Sequence, residues 1–186
     1  MNESKLVAAC LSGNAVAQRK LYQDYIQAMF NTASRMLGQR ELAEDATQEA
    51  FIQVFSQLHT FRGQSSLGSW IKRIVINSCL NILRQNKSFN YVELSSGEFS
   101  QYEEQNSPEL KFSAQKIHSY IKTLPEGARV VLTLHLIEGF QHKEIAKILN
   151  ISESTSKSQY SRAKKILRTR LNSKDTSNTY SKYHGK

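Results

Sequence analysis

The sequence predicts an all-α protein of two small helical domains joined by a flexible acidic linker. Apolar residues recur three or four positions apart through most of the chain, which is the period of amphipathic helices. Alternating strand patterns are absent. One polar stretch, 88–110, interrupts the helical pattern with five glutamates and without Lys or Arg, as linkers do. The predicted domains are therefore 1–87 and 111–172, followed by a disordered tail over 173–186.

Composition narrows the class of partner. The 186 residues include 25 Lys and Arg against 16 Asp and Glu, giving a net charge of +9. A sequence pI near 9.6 favours a polyanionic partner, either nucleic acid or an acidic membrane surface. No apolar run is long enough to span a bilayer and the N-terminus lacks a signal-peptide pattern, so we expect a cytoplasmic protein without membrane insertion. The isolated Cys10 and Cys79 lack zinc-site spacing, and we expect reduced thiols.

Three helices are predicted at the start of the chain, over 3–11, 15–37 and 41–58. Asn14 follows Gly13 and suits an N-cap, while Gly38 suits the C-terminal end of the second helix. The predicted inward stripe of the third helix consists of small and branched apolar residues: Ala43, Ala46, Ala50, Val54 and Leu58.

The opposite side of the third helix is acidic although the protein is basic. Its predicted outward residues are Glu41, Asp45, Gln48, Glu49 and Ile52. Such a stripe is usually a solvated face. The alternative is a docking surface for a basic protein partner, since Asp45 and Glu49 lie one helical turn apart.

The stretch 61–84 joins a Gly- and Ser-rich loop, predicted over 62–69, to a helix predicted from Trp70 to Arg84. One stripe of that helix carries Arg and Asn at steps of three and four: Arg73, Asn77, Asn81 and Arg84. The stripe has no carboxylate and therefore suits phosphates and base edges. A flexible loop leading into a polar, basic helix is a plausible place to hold an unstacked base. The other interpretation is an ordinary helix with a solvated face.

The second domain is predicted to begin with a helix over 111–124, a turn over 125–127 and an apolar helix over 128–138. His135 in this last helix is predicted to be a packed side chain rather than a ligand. A short helix over 143–149, the turn 150–152 and a longer basic helix then form a predicted helix-turn-helix.

The turn chemistry of this motif agrees with its charge pattern. Asn150 tolerates the left-handed conformation, and Ser152 is a good N-cap. The early part of the longer helix, 154–162, is expected to enter the major groove, with Gln159 reading a base and the cations holding phosphates. The alternative is a basic solvated helix.

With these motifs in view, the chain resembles a bacterial RNA polymerase sigma factor of the sigma-70 family, extracytoplasmic-function group. ELAEDATQEAFIQVF resembles the helix that binds the clamp helices of the polymerase, and FRGQSSLGSWIKRIVIN resembles the segment that captures bases of the −10 element. LPEGARVVLTLHLIEGFQHKEIAKILNISESTSKSQYSRAKKILRTRL resembles the domain that reads the −35 element and touches the polymerase flap. The resemblance implies a factor for promoter recognition and transcription initiation.

The resemblance also implies three sets of site residues. The polymerase-binding set is Asp45, Gln48, Glu49, Phe51 and Ile52. The −10 set is Arg62, Gly63, Ser65, Ser66, Trp70, Lys72, Arg73, Asn77, Asn81 and Arg84. The −35 set is Ser154, Thr155, Ser156, Lys157, Gln159, Ser161, Arg162 and Lys165. The implied partners are core RNA polymerase, promoter DNA and an anti-sigma factor. No catalytic residue, metal or cofactor is expected, because nucleophile–base pairs, metal-ligand spacing and phosphate loops are missing from the sequence.

The sequence departs from the family pattern at several of these positions. Ser156 stands where an apolar residue is common, Gln159 where a cation is common, and Leu67-Gly68 where an aromatic and a polar residue are common. The −35 and −10 sequences that the chain prefers therefore stay open. Two other classes also stay open: a stand-alone helix-turn-helix regulator, and an enzyme acting on nucleic acid, which the missing carboxylate or metal cluster disfavours.

Overall fold

The computed structural model describes residues 2–85 and 114–180, with side chains described for 2–85 and 116–171. In these ranges the regular structure is helical and contains no strand, so the all-α prediction is confirmed. The chain divides into two compact units, Met1–Phe89 and Asn90–Lys186, called unit 1 and unit 2 below. The predicted linker 88–110 lies outside the described residues, and the predicted domain limits stay predictions.

Unit 1 consists of four α-helices and a short 3-10 turn. They are α1 (Glu3–Leu11), α2 (Ala15–Leu37), α3 (Arg40–Gln57), the turn Leu58–Thr60 and α4 (Leu67–Gln85). The predicted caps are present. The Asn14 side chain accepts hydrogen bonds from the backbone N–H groups of Val16 and Ala17, each at 3.0 Å. Gly38 ends α2 in the left-handed conformation, which glycine adopts at little cost.

The core of unit 1 forms where α2, α3 and α4 pack against one another. The predicted inward stripe of α3 is confirmed, since all five of its residues are buried. Its three alanines have short side chains, and the distance between packed helices depends on the side chains at the contact. The buried face of α4 supplies Ile71, Val75 and Cys79.

Both cysteines of the sequence are buried in unit 1, Cys10 on α1 and Cys79 on α4. Burial raises the pKa of the Cys79 thiol to about 12 and also raises the pKa of the Cys10 thiol. The two are free thiols, as predicted.

Unit 2 contains α5 (Ala114–Lys122), α6 (Glu126–Leu132), a π-helical turn (Thr133–Ile137), α7 (His142–Leu149) and α8 (Glu153–Tyr180). Its core joins the first, second and last of these helices through Ile121, Leu124, Ala128, Leu132 and Ala163. Tyr160, Ile166 and Leu167 of α8 pack against that cluster.

Three sequence predictions for unit 2 need correction. Glu126 and Gly127 belong to α6 instead of a turn, because the Arg129 N–H closes the first helical turn on the Pro125 carbonyl at 2.8 Å. The helix predicted over 128–138 changes to a π-helical turn after Leu132, where the Glu138 N–H reaches the Thr133 carbonyl. The backbone of α8 stays helical to Tyr180, within the predicted tail, since neither Gly nor Pro interrupts that stretch.

A buried arginine joins two helices of unit 2. One Nη atom of Arg129 donates to the carbonyls of Leu124, at 3.1 Å, and Lys122, at 3.4 Å. These carbonyls lie at the C-terminal end of α5, where helical hydrogen bonding leaves acceptors unpaired. Burial lowers the pKa of the Arg129 guanidinium, and the Glu126 carboxylate opposes this shift.

Candidate protein- and nucleic-acid-binding surfaces

The first candidate surface is the outward side of α3. Asp45, Gln48, Glu49 and Ile52 are exposed there, and we call them the acidic face. Ile52 is 71% exposed and places an apolar side chain among these polar and acidic residues. The Glu49 carboxylate accepts a hydrogen bond from the Gln53 amide at 3.2 Å, one helical turn away.

Phe51 does not belong to this exposed set. It is only 3% exposed, and its ring packs edge-on against Tyr22 of α2 with 4.9 Å between ring centroids. The direct contact predicted for Phe51 is therefore corrected: the residue supports the acidic face from inside the fold. Phe51 lies three residues before Val54 and seven before Leu58 of the inward stripe, and this helical spacing is the signal that indicates burial.

Sequence patterns did not predict a groove beside the acidic face. This groove, about 250 Å³ in volume, lies between α2 and α3. Its lining includes Tyr22 and Phe30 from one helix and Gln48 from the other, so it shares a residue with the acidic face. Residues from two helices form it, and periodicity within one helix cannot reveal such a feature.

The second candidate surface is the outward side of α4. Arg73, Asn77, Asn81 and Arg84 are all exposed, and we call them the polar stripe. Asn81 accepts a hydrogen bond from Arg84 at 3.3 Å, which orders one end of the stripe. Trp70 is half-buried against the ring of Phe61, with 5.6 Å between centroids, and Lys72 is half-buried on the same helix.

The loop before α4 is shorter than predicted. The helix begins at Leu67 instead of Trp70, because the Ser66 hydroxyl accepts a hydrogen bond from the Ser69 N–H at 3.2 Å. Leu67 is fully buried, so it belongs to the core. Arg62, Gly63, Ser65 and Ser66 remain exposed, as the predicted −10 set requires.

Two residues from other helices hold the start of α4. The Glu3 carboxylate of α1 accepts hydrogen bonds from the Leu67 N–H at 3.3 Å and from the Tyr25 hydroxyl at 3.4 Å. A Cβ at Gly68 would lie 3.1 Å from the Tyr25 ring, so glycine permits the close approach of α2 and α4. The loop 62–66 is therefore attached to a fixed helix end.

The third candidate surface is on the helix-turn-helix, where α7 and α8 are joined by the turn 150–152, as predicted. Asn150 has φ 53° and ψ 49°, the left-handed conformation. The Ser152 hydroxyl accepts a hydrogen bond from the Thr155 N–H at 2.9 Å, so the predicted cap is confirmed. The exposed residues of the predicted −35 set are Ser154, Lys157, Ser161 and Lys165, and we call them the basic face of α8.

Two residues of the predicted −35 set face the interior. Ser156 is fully buried and Gln159 is 3% exposed, so the base contact predicted for Gln159 is corrected. Both lie at helical spacing from buried Ala163, seven and four positions before it, and this spacing is the signal that polarity obscured. Thr155 and Arg162 are half-buried, between the two sides.

Two other kinds of feature, a metal site and a membrane span, are absent from the described residues. Within them no group of three His, Cys, Asp or Glu side chains is placed to hold a metal ion. Over the same ranges, every helix is too short or too polar to cross a membrane.

Comparison with known proteins adds information to this geometry. Residues 21–89 match the family described as sigma-70 region 2, and residues 114–167 match sigma-70 region 4. The RNA polymerase sigma-H factor of Pseudomonas aeruginosa is 28% identical over 176 residues, which cover 89% of this chain and 91% of that protein. The ECF RNA polymerase sigma factor SigM of Bacillus subtilis is 27% identical over 156 residues, covering 82% of this chain and 94% of that protein.

Among solved structures, the sigma factor RpoE of Bartonella quintana, in complex with the anti-sigma factor NepR, has a similar fold. Its TM-score is 0.53 at 21% sequence identity, covering 83% of this chain and 96% of that chain.

Proposed function

This chain belongs to the sigma-70 family, extracytoplasmic-function group, and we propose that its three exposed surfaces divide the work of a sigma factor. The protein binds core RNA polymerase and directs it to promoters, where transcription begins. Sigma factors are initiation factors, and the polymerase performs the chemistry. The main support is that the exposed stripes of opposite charge character lie on separate helices, the acidic face on α3, the polar stripe on α4 and the basic face on α8.

The acidic face of α3 is the proposed docking surface for the polymerase clamp helices. Asp45 and Glu49 present carboxylates to a basic partner, and exposed Ile52 supplies apolar area beside them. Charges at the rim of an interface mainly set the association rate and specificity, and a desolvated apolar anchor adds affinity. The neighbouring groove, which contains Gln48, offers space for a side chain of the partner.

The polar stripe of α4 and the loop 62–66 are the proposed site for the opened −10 strand. Arginine and asparagine side chains donate to phosphates and base edges, and the stripe has no carboxylate to repel them. Stacking of an unpaired base on an aromatic ring contributes about 1–3 kcal/mol, and Trp70 of the same helix is a partly exposed ring.

The basic face of α8 is the proposed −35 surface. Lys157 and Lys165 are placed for phosphates, while Ser154 and Ser161 can reach base edges. The same unit is the proposed contact for the polymerase flap. An anti-sigma protein is a further proposed partner, as the complex of the Bartonella relative suggests. We place the protein in the cytoplasm, where its polymerase acts.

Run-off transcription tests the whole proposal. Core RNA polymerase is mixed with the purified chain and fragments of the source genome, and specific start sites are expected only with both proteins present. If no fragment is transcribed, the proposed function is wrong. If the chain binds the same promoter duplexes equally well without polymerase, the stand-alone regulator is favoured instead.

A charge reversal tests the docking surface. Asp45→Arg should reduce capture of core polymerase about tenfold or more, because a like charge replaces an attractive one at an interface. Asp24→Arg is the matched control, since Asp24 is an exposed carboxylate of α2 that pairs with Lys20. Equal loss in both variants would contradict the assignment of the acidic face.

A further inference from the structure

Three rings meet where α8 packs on α7 and the π-helical turn. The imidazoles of His135 and His142 are stacked, with 4.1 Å between centroids and 24° between planes. The Tyr160 ring of α8 lies edge-on to both, at 4.7 Å and 5.6 Å. We call these three residues the ring cluster.

A hydrogen bond extends this cluster into the interior of α8. His142 Nδ1 lies 2.8 Å from the Ser156 hydroxyl oxygen. Because Ser156 is fully buried, water cannot replace this partner, and an unpaired buried hydroxyl is costly. Ser156 lies between Ser154 and Lys157 of the basic face on the same helix, so a fixed Ser156 also fixes how these two residues are oriented.

The other ring is fixed to the turn before α7. His135 Nδ1 lies 2.8 Å from the Phe140 carbonyl, which can only accept, so that nitrogen carries a proton. A continuous path therefore runs from the Phe140 carbonyl through the stacked rings to Ser156. This path connects the residues just before α7 with α7 and α8. It does not pass through the apolar core that α5, α6 and α8 form.

The surroundings of His142 disfavour its positive charge. Burial is the main reason that the pKa of His142 is lowered, followed by the neighbouring His135 ring and the Lys157 ammonium, while the Glu153 carboxylate opposes the shift. His142 is also the first residue of α7, where the helix dipole disfavours a cation. Tyr160 adds a neutral ring. The folded protein therefore holds a neutral imidazole at 142.

We propose that His142 is a positioning residue for the basic face of α8: its neutral ring holds Ser156 and thereby orients the helix on the promoter duplex. The proposal rests on the proposed function, which assigns that face to the duplex. Once protonated, Nδ1 can only donate to the Ser156 oxygen, so the hydroxyl proton must turn to another acceptor, and the new charge lies beside Lys157. Acid should therefore weaken promoter recognition.

The direction of the pH effect separates this role from simple electrostatics. Since the folded pKa of His142 is lowered, its stabilising contribution is complete above the unfolded value of about 6.5 and is lost as pH falls below that value. A histidine that merely faced DNA would act oppositely, because an added positive charge strengthens phosphate binding.

The experiment compares initiation by holoenzymes containing wild type, His142→Gln and His142→Phe on one promoter fragment found by run-off transcription. Glutamine can still bond Ser156 without titrating, whereas phenylalanine keeps the ring stack and loses the bond. Between about pH 7.5 and 6, wild-type initiation should fall about twofold relative to His142→Gln, because a pKa below the ordinary histidine value leaves the ring only partly protonated at pH 6. His142→Phe should be impaired at both pH values.

Two readings overturn the proposal. The first is a wild-type to His142→Gln ratio that does not change with pH while both holoenzymes initiate correctly. The second comes from NMR titration of the full chain without polymerase: a His142 ring with the ordinary histidine pKa, unaffected by Ser156→Val, would exclude the contact. Failure of all fragments in transcription would instead overturn the proposed function, and the NMR titration would still decide whether the contact exists.

Discussion

The two units stabilise their binding surfaces in different ways. In unit 1 the three long helices α2, α3 and α4 bury apolar faces, and the buried hydroxyls of Thr32 and Thr47 bond back to carbonyls of their own helices. In unit 2 the buried polar groups connect different elements: Arg129 reaches the end of α5, and Ser156 reaches His142 of α7.

This difference follows from helix length. The helices α5, α6 and α7 have 9, 7 and 8 residues, against 23, 18 and 19 for α2, α3 and α4. Shorter helices bury less apolar area each, and small cores are correspondingly marginal. Directional polar contacts therefore contribute more to the orientation of the helices in unit 2 than in unit 1. Changes of charge should accordingly affect the stability of unit 2 more.

The largest expected effect is a cavity in unit 1. Ile71→Ala should destabilise this unit by about 2–5 kcal/mol, because Ile71 is fully buried. Denaturant unfolding followed by tryptophan fluorescence measures it, since the single tryptophan of the sequence, Trp70, lies in this unit. Ile52→Ala, on the exposed side of α3, is the control and should change stability little. Equal losses would contradict the assigned faces.

The next effect concerns the buried cation of unit 2. Arg129→Met should cost about 2–3 kcal/mol, since it removes charge-assisted hydrogen bonds and leaves buried carbonyls unpaired. Amide hydrogen exchange in α6 and the start of α8 should accelerate, while Trp70 fluorescence unfolding stays unchanged. If the variant is as stable as wild type, apolar burial alone stabilises unit 2. The proposed difference between the units, a larger contribution of polar contacts in unit 2, would then be wrong.

The turn of the helix-turn-helix offers a smaller effect. Asn150→Ala should cost about 1 kcal/mol, because alanine tolerates the left-handed conformation less well than asparagine. Asn150→Gly is the matched control and should be neutral or stabilising. Thermal unfolding of unit 2 measures both variants. Similar behaviour of the two would exclude backbone strain at this position.

The smallest effect on stability is expected on the basic face. Lys157→Ala removes one exposed ion pair, in which the Lys157 ammonium lies 2.7 Å from the Glu153 carboxylate. The loss should lower the stability of unit 2 by only about 0.3 kcal/mol. Lys157→Ala should nevertheless reduce the magnitude of the salt slope of duplex binding by about one unit. Arg162→Ala should act in the same direction, and Lys147→Ala of α7 is the control. Unchanged slopes in both α8 variants would mean that this face does not contact DNA.

Periodicity and capping chemistry predicted much of unit 1. The limits of α1 and α2, the Asn14 cap, the Gly38 end and the inward alanines of α3 follow from interactions within four residues along the chain. The polar stripe of α4 was predicted for the same reason, because it lies on one helix.

The errors arose where a contact between helices decides the outcome. Gln159 and Ser156 are polar yet buried, and His142 of α7 supplies the hydrogen-bond partner of Ser156. Phe51 was assigned to a partner although Tyr22 of another helix covers it. The start of α4 depends on Ser66 and on Glu3, which is far away in sequence. Helical spacing indicates that the buried residues face the interior, but it does not identify the residues of other helices that they contact.

The state of the two cysteines limits what this factor can sense by itself. Oxidation of cysteine proceeds through the thiolate, and a thiol with a pKa near 12 inside a closed core is almost never ionised at the pH of a cell. Cys10 is also buried and shifted in the same direction. Peroxide or disulfide stress should therefore leave both cysteine thiols of the folded chain unmodified, so a redox signal would not act on this factor through its cysteines.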